Sequence, residues 1–313
     1  MANGKHFDVI VAGLALADVI GRPVDLRKPP KRGALKLIDS ITLTTGGNVS
    51  NVGIDLAKLG FRVGAVTRVG NDSIGRFVLQ HYKTFGIDTE GVIIDAKAQT
   101  SATMVSVDGD GERTFLHTRG CMAHFRAGDL LGRVPYLQKA GILAIGYLGL
   151  LPETEKEFPR LFGTLKAKTD LKIFLDTAAS PRVLPKELKA FLPYVDYFVP
   201  SYEEAVLLTG RKTPEAIVET LFRSGAPHVV GVKLGARGCY LSDGVRSEFI
   251  RAKLVKKVID ATGAGDAFVA GFIAATVRGF DPFHAARVAN AVAASCVRAV
   301  GASTAIKSFE RYL

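Results

Sequence analysis

Residues 141–177 read GILAIGYLGLLPETEKEFPRLFGTLKAKTDLKIFLDT. The segments 141–149 and 172–177 are apolar runs of strand length, whereas residues 153–169 have apolar positions at helical spacing. Strand, helix and strand in this order indicate a right-handed βαβ crossover between parallel strands of one sheet. This stretch therefore predicts an α/β fold.

The same alternation continues toward the C-terminus. Further strand-like and helix-like segments follow at 184–194, 197–201, 203–209, 213–225 and 228–235. Two long patterns rich in Ala and Val, at 263–278 and 282–300, predict buried helices. Residues 9–17 are too short and too β-branched for a signal peptide and are predicted to form the buried first strand. The expected class is a doubly wound, mostly parallel sheet with helices on both faces.

The first 120 residues include strand-like segments that are not separated by helices. These segments are 36–45, 101–108 and 113–119. Gly109-Asp110-Gly111 joins the last two, which is a hairpin signal. Such strands cannot all enter the parallel sheet, so we expect a small β lid built from segments near 15–45 and 97–120. The lid and the α/β core would form one domain over residues 1–313.

Composition narrows the choice of partner and compartment. Lys and Arg number 41 against 30 acidic residues, which suits an anionic partner such as a nucleotide. The basic residues are dispersed, Trp is absent, and no basic stripe contains interleaved aromatic residues, so no nucleic acid partner is expected. No segment approaches membrane-spanning length. The three cysteines match no metal or disulfide pattern, which predicts reduced thiols and a cytoplasmic location.

Residues 260–268 read DATGAGDAF and open the first of the two long helical patterns. Small residues at a helix N-terminus expose successive N–H groups, which favour an anion such as phosphate. A carboxylate directly after such a cradle suits a base that takes the proton of an attacking hydroxyl, which makes Asp266 a candidate catalytic residue. Alternatively, Asp266 is an ordinary acidic residue of the first helical turn and the glycines serve helix packing. Neither a Walker A sequence nor a dinucleotide-binding glycine pattern occurs in the chain.

This stretch resembles the C-terminal signature of the ribokinase-like, or PfkB, family of carbohydrate kinases. It departs from the family pattern only at Ala261, where Thr or Ser is usual. The resemblance implies a ribokinase-like fold and an ATP-dependent kinase that uses Mg²⁺ and phosphorylates a primary hydroxyl of a sugar. It also implies that Asp266 is the general base and that Gly263, Ala264 and Gly265 form the anion hole for the γ-phosphate.

The same resemblance implies a site for a monovalent cation such as K⁺. Asp260 and Thr262 would lie near this cation, and backbone carbonyls from about residues 296–304 would complete its coordination.

A second match to the family lies at Gly46-Gly47-Asn48-Val49-Ser50-Asn51. Paired glycines let a backbone approach a ligand, and the two Asn residues share one face at a helix start, where their amides can satisfy sugar hydroxyls. The alternative is an Asn helix cap after a Gly turn. Asp18 occupies the place of the family carboxylate that receives two substrate hydroxyls, which suits an acceptor-only side chain; otherwise it is a turn residue.

The nucleotide side is predicted from two further segments. Ser201-Tyr202-Glu203-Glu204 is similar to the family's Asn-x-x-Glu motif, with Ser201 in place of Asn, and Glu204 would organise hydrated Mg²⁺. Residues 233–238 resemble the nucleotide loop, in which Lys233 can pair with phosphate oxygens. The nucleotide-binding residues are then Ser201, Glu204, Lys233, Gly235, Gly238 and, facing the adenine, Asn290.

Other acceptors and roles stay open. A nucleoside kinase of this fold needs an apolar slot for a base, whose walls could be Phe115, Leu116 or Tyr147. A kinase for an already phosphorylated sugar needs a basic cluster, which could consist of Arg68, Arg113 and Arg119. A non-catalytic sugar or nucleotide sensor is a third alternative, against which the intact Asp266 and its anion loop argue.

The lid is also expected to contribute to a homodimer. Leu37, Ile41 and Leu43 lie on one face of the predicted strand 36–45, and Val105 and Val107 would add apolar area on a neighbouring strand. A small sheet outside the core needs either the cleft or a partner to cover an apolar face. Closure of the lid over substrate in a monomer would be the alternative cover.

Overall fold

The computed structural model describes residues 5–28, 31–178 and 185–313. The first residue of the predicted helix 184–194 and part of the predicted lid segment 15–45 lie outside these ranges. The strands are β1 (Val9–Gly13), β2 (Leu16–Arg22), β3 (Ser40–Gly46), β4 (Val63–Val66), β5 (Arg68–Gly70), β6 (Ile93–Asp95), β7 (Ala102–Val107), β8 (Arg113–Thr118), β9 (Ile142–Leu148), β10 (Lys172–Thr177), β11 (Tyr197–Phe198), β12 (Val229–Lys233), β13 (Gly238–Ser242) and β14 (Ser247–Arg251). The helices are α1 (Asn48–Lys58), α2 (Ser73–Thr84), α3 (Ala127–Leu131), α4 (Val134–Leu137), α5 (Pro152–Glu155), α6 (Phe158–Lys168), α7 (Pro185–Phe191), α8 (Tyr202–Thr209), α9 (Pro214–Arg223), α10 (Ala264–Val277) and α11 (Pro282–Cys296).

The main sheet has eight strands in the order β14-β13-β12-β11-β10-β9-β1-β4. The strands from β12 to β4 are parallel, and β13 and β14 add an antiparallel edge. The predicted crossover from β9 through α6 to β10 is present, with Leu143 beside Ile173. The mostly parallel sheet expected from the alternation is therefore confirmed.

Two hydrophobic clusters cover the two faces of this sheet. On β1, Val9 and Val11 pack with α1, α10 and α11, whereas Ile10 and Ala12 pack with the helices of the other face. Apolar residues therefore run continuously along the strand, as expected where both faces are covered. Helices α10 and α11 approach closely, because a side chain at Gly271 would meet the Cα of Ala289 at 2.9 Å.

A second sheet of four strands has the order β3-β2-β7-β8. The predicted hairpin is present as antiparallel β7 and β8, and β2 joins β7 in parallel. This smaller sheet lies in the predicted segments 15–45 and 97–120, although β3 begins at Ser40 and leaves Leu37 outside the strand.

The pairing register sorts the residues of the small sheet onto two faces. Leu43 pairs with Val19, Val19 with Met104, and Met104 with Leu116, so these four side chains share the outer face with Ile41. The prediction that Val105 and Val107 extend the apolar area of Ile41 and Leu43 is wrong. Successive strand residues point to opposite faces, and Val105 pairs with Phe115 on the other face.

No helix in the described part of the chain is both long enough and apolar enough to span a bilayer.

Polar residues lie at the carboxyl ends of the parallel strands, with Tyr147 near the end of β9, Asp176 near the end of β10 and Lys233 at the end of β12. This edge of an open α/β sheet is where ligands usually bind.

Candidate active site

The predicted anion loop forms the start of α10. Gly263 caps the helix with φ 76°, a left-handed conformation, and a side chain there would lie 2.3 Å from the Cβ of Ala302. The first N–H groups of a helix have no partner within it and carry the positive end of the helix dipole. A Cβ atom at Gly265 would lie 3.6 Å from the ammonium of Lys233, so the glycine leaves the space beside this ammonium open. Loop and ammonium together form a place suited to an anion.

Asp266 lies in the first turn of α10, and only 6% of the residue is exposed. The amide nitrogen of Asn51 donates to its Oδ2 at 2.8 Å. The hydroxyl of Tyr147 donates to the same carboxylate and is 2.8 Å from each oxygen. The structure thus joins the predicted base to a predicted sugar-side residue, Asn51, through a direct hydrogen bond.

The surroundings of Asp266 shift its pKa to about 6. Burial is the largest cause of the increase, and the charge of Asp176 adds to it. Hydrogen bonds from Asn51 and Tyr147 and the charge of Lys233 oppose it. A carboxylate with such a pKa is ionised at neutral pH yet basic enough to accept a proton during a reaction.

Lys233 forms an ion pair with Asp176, with 2.8 Å between Nζ and Oδ1. Both side chains are largely buried. Burial opposes the charge of the ammonium, but Asp176 and Glu204 outweigh it and raise the pKa of Lys233. Lys233 is therefore a fixed positive charge beside the anion loop.

Asp260 and Thr262, predicted to lie near a monovalent cation, are close together just before the loop. The N–H of Thr262 donates to Oδ1 of Asp260 at 2.9 Å, and the N–H of Gly301 donates to Oδ2 at 3.0 Å. Arg113, from β8 of the small sheet, forms an ion pair with Oδ1 at 2.8 Å. Burial opposes ionisation, but the bonds from Gly301, Thr262 and Arg113 lower the pKa of Asp260 to about 2.

The predicted sugar-binding residue Asp18 lies on β2, where it pairs with Thr44 of β3 and Thr103 of β7. Its side chain is on the same face of the small sheet as that of Arg113. Burial raises the pKa of Asp18, and a hydrogen bond with Thr103 opposes this. A side chain at Gly46 would lie 2.5 Å from Oδ2 of Asp18, so a glycine there leaves room for the carboxylate. Gly47, with φ 84°, caps α1 next to it.

Asn48 bonds the backbone through both atoms of its amide. Its Nδ2 donates to the carbonyl of Ala12 at 2.8 Å, and its Oδ1 accepts from the N–H of Leu14 at 2.8 Å. The buried side chain thus bonds the backbone at the end of β1, and a contact of this amide with sugar hydroxyls stays a prediction. Asn48 fixes the position of α1 and thereby that of Asn51.

The predicted nucleotide residues line one cavity of about 1090 Å³ together with the anion loop and Asp266. The members of the predicted set found there are Ser201, Glu204, Lys233, Gly235, Gly238 and Asn290. Glu204 accepts from the N–H of Ser201 at 3.0 Å and from the hydroxyl of Thr177. The Nδ2 atom of Asn290 donates to the carbonyls of Ile250 at 3.1 Å and Arg251 at 3.4 Å, so a contact with adenine stays a prediction.

Sequence reasoning missed the contacts of Tyr147, Asp176 and Arg113. The first two end predicted parallel strands, and this position alone could have indicated a role in the site. No local signal could have found the contact of Arg113, since it joins residues that are far apart in the chain.

Comparison with known proteins shows the family to which the chain belongs. The model of the pfkB family carbohydrate kinases matches residues 7–308. The chain belongs to the pfkB family. The family is one of carbohydrate kinases and supports an ATP-dependent phosphotransferase, so the predicted enzyme class is confirmed. A 2-dehydro-3-deoxygluconokinase from Bacillus subtilis is 30% identical over 283 residues, which cover 86% of this chain and 85% of that protein.

Solved structures of pfkB and ribokinase proteins have the same fold. A PfkB protein from Polaromonas sp. JS666 has a TM-score of 0.79 and 26% identity, covering 98% of both chains. The ribokinase of Arabidopsis thaliana, solved with ribose and ATP, has a TM-score of 0.82 and 24% identity, covering 98% of this chain and 97% of the other. The latter likeness shows the fold alone, and it confirms the predicted ribokinase-like architecture with its smaller sheet.

Proposed function

We propose that this pfkB kinase transfers the γ-phosphate of ATP to a primary hydroxyl of a sugar, with Asp266 as the general base. One observation carries the proposal: Asp266 lies in the first turn of α10, directly after the loop whose N–H groups suit a phosphate. Transfer requires hydroxyl, base and phosphoryl group to meet with correct orientation, and positioning supplies much of the catalysis.

The base acts through the carboxylate oxygens of Asp266. As the acceptor oxygen attacks phosphorus, its proton passes to this carboxylate, which is ionised above a pH of about 6. Asn51 and Tyr147 hold the carboxylate from two elements, α1 and the end of β9. The base is therefore presented to the acceptor in one orientation.

Positive groups would stabilise the charge that develops on the phosphoryl group. The N–H of Gly265 lies at the same place as the ammonium of Lys233, whereas the N–H of Ala264 donates to the carbonyl of Ala261 at 3.2 Å. Glu204 offers the hard oxygen ligand that hydrated Mg²⁺ prefers, and Thr177 and Ser201 hold it at the edge of the cavity. When bound, Mg²⁺ neutralises part of the charge on the phosphates.

An unphosphorylated sugar is the acceptor best supported by the contacts. Two of the three arginines proposed for a phosphosugar site have other partners, because Arg68 bonds Asp95 and Asp129 while Arg113 pairs with Asp260. Asp18 lies on the face of the small sheet that carries Arg113, where its carboxylate can accept two hydroxyls of a diol. Because the relative from Bacillus subtilis is a 2-dehydro-3-deoxygluconokinase, 2-dehydro-3-deoxygluconate is one of the acceptors to assay.

A homodimer through the small sheet is also part of the proposal. The outer-face row Leu43, Val19, Met104 and Leu116 crosses all four strands, and Met104 and Leu116 are 62% and 67% exposed. A contiguous apolar patch of this kind is typical of an interaction surface. A second copy of the chain would cover it.

The test of the acceptor class is a panel of ribose, fructose, fructose phosphate, 2-dehydro-3-deoxygluconate and nucleosides, each with ATP and Mg²⁺. ADP release is measured with every acceptor and without one. The proposal expects release that depends on an unphosphorylated sugar. Release with fructose phosphate or a nucleoside alone would overturn the acceptor class, and no release with any compound would contradict the proposed activity.

A further inference from the structure

Arg113 connects the small sheet to the anion loop through two contacts. One guanidinium nitrogen is 2.8 Å from Oδ1 of Asp260, and another bonds the hydroxyl of Thr262. The side chain of Asp260 is only 6% exposed, and that of Arg113 is 31% exposed. A strand outside the core thus places a permanent positive charge on a buried carboxylate three residues before Gly263, the first glycine of the loop.

The carboxylate of Asp260 has little room for another ligand. It accepts from the N–H groups of Thr262 and Gly301 as well as from Arg113. A carboxylate offers about four lone-pair sites. Most of them are occupied by donors of this chain.

The nearby backbone carbonyls are also paired with donors of the chain. The thiol of Cys296 donates to the carbonyls of Thr262 at 3.4 Å and Ala302 at 3.0 Å. The ammonium of Lys58 donates to the carbonyls of Ser303 at 2.6 Å and Thr304 at 3.2 Å. Two basic side chains and a thiol therefore already contact Asp260, Thr262 and the carbonyls of residues 302–304, which belong to the set that the family resemblance assigns to a monovalent cation.

We propose that Arg113, supported by Lys58, supplies the positive charge at this place, so that the kinase works without a monovalent cation. A buried carboxylate requires a counter-charge, and removal of one partner is strongly unfavourable. Arg is suited to this position because its guanidinium is always charged and its fork reaches two acceptors at once. The charge comes from the small sheet, so the geometry of the anion loop depends on the position of that sheet.

The inference rests on the proposed function, because it concerns the same anion loop. Its first test measures ADP release with the best acceptor of the panel, in buffers whose monovalent cation is either K⁺ or tetramethylammonium. The variants are Arg113→Ala and Arg113→Lys. Arg27→Ala is the matched control, since Arg27 forms an exposed ion pair with Asp110 in the small-sheet region and does not pair with Asp260.

The expected wild-type turnover is the same in both buffers. Arg113→Ala should lose roughly tenfold to a hundredfold in tetramethylammonium, as for a lost charge-assisted bond, and regain part of this in K⁺. Arg113→Lys should lie between wild type and Arg113→Ala, because it keeps the charge but not the fork. A wild type that needs K⁺ for turnover would overturn the proposal, as would an Arg113→Ala variant as active as Arg27→Ala in tetramethylammonium.

A second readout does not depend on turnover. Amide hydrogen exchange of residues 260–266, measured without nucleotide or sugar, should be faster in Arg113→Ala than in wild type and unchanged in Arg27→Ala. Equal exchange in all three proteins would overturn the contact between the small sheet and the loop. A wild type inactive toward every acceptor would contradict the proposed function, while exchange would still decide whether Arg113 holds the loop.

Discussion

The hydroxyl of Tyr147 lies 2.8 Å from both carboxylate oxygens of Asp266. Burial and the charge of Asp266 raise the pKa of Tyr147 well above its usual value, so the phenol keeps its proton and donates it in a hydrogen bond. The amide of Asn51 is a second donor to the same carboxylate. Tyr147 and Asn51 therefore favour the ionised form of Asp266 against the effect of burial.

Replacement of this tyrosine should change the pH dependence of the enzyme. The proposed mechanism needs ionised Asp266, so activity should fall as the pH drops through about 6. Tyr147→Phe removes a bond that lowers the pKa of Asp266, and the acid limb of kcat/KM should move upward by roughly one pH unit. The pH profile of kcat/KM is measured by ADP release across the acidic, neutral and alkaline range.

The control for this variant is Tyr194→Phe, which removes a phenol hydroxyl that lies next to Gly163 on α6 and away from the site. At alkaline pH, Tyr147→Phe should approach the activity of the control. A loss of equal size at every pH would indicate a purely structural role for Tyr147 and contradict the prediction.

Asp18→Asn should raise the KM for the sugar and leave the KM for ATP nearly unchanged. In the proposed site only the sugar diol needs this carboxylate, and loss of a bond to a charged group weakens binding by roughly tenfold to a hundredfold. Initial rates with each substrate varied in turn measure both constants. Asp39→Asn, an exposed change just before β3, is the control. An equal rise of both constants would point to a structural role for Asp18.

The outer face of the small sheet should form the dimer contact. Ile41 is 71% exposed beside the apolar row, and Ile41→Asp would place a charge in the interface. Light scattering at micromolar concentration should find a dimeric wild type and a monomeric variant. Val245→Asp, in the turn between β13 and β14, should remain dimeric. A monomeric wild type would remove the proposal, and a dimeric Ile41→Asp variant would move the interface elsewhere.

The sequence predicted the fold well because its signals are local. The crossover from β9 to β10 and the hairpin of β7 and β8 each depend on periodicity and turn residues within a short segment. The face on which Val105 lies depends instead on its register with Phe115 and Ile20, which only the assembled sheet fixes. A shift of one residue moves every side chain to the other face.

The candidate site was predictable where one motif carries it and less so where side chains from distant elements meet. The loop 260–266 contains its own glycines and the proposed base. The backbone contacts of Asn48 were not predictable, because a buried amide can bond a ligand, the backbone or both, and only the assembled structure shows its distances to Ala12 and Leu14. The pairing of Arg113 with Asp260 spans most of the chain and has no local signature.

The most direct test of the central claim is the rate of phosphoryl transfer in Asp266→Asn. Single-turnover transfer from ATP to the best acceptor is compared with wild type, and binding of ATP and sugar is measured separately by calorimetry. The account predicts unchanged binding and a rate lower by roughly 10²–10⁴-fold, as for a lost positioned base. Transfer within about tenfold of wild type, well short of that range, would contradict the assignment of Asp266 as the base.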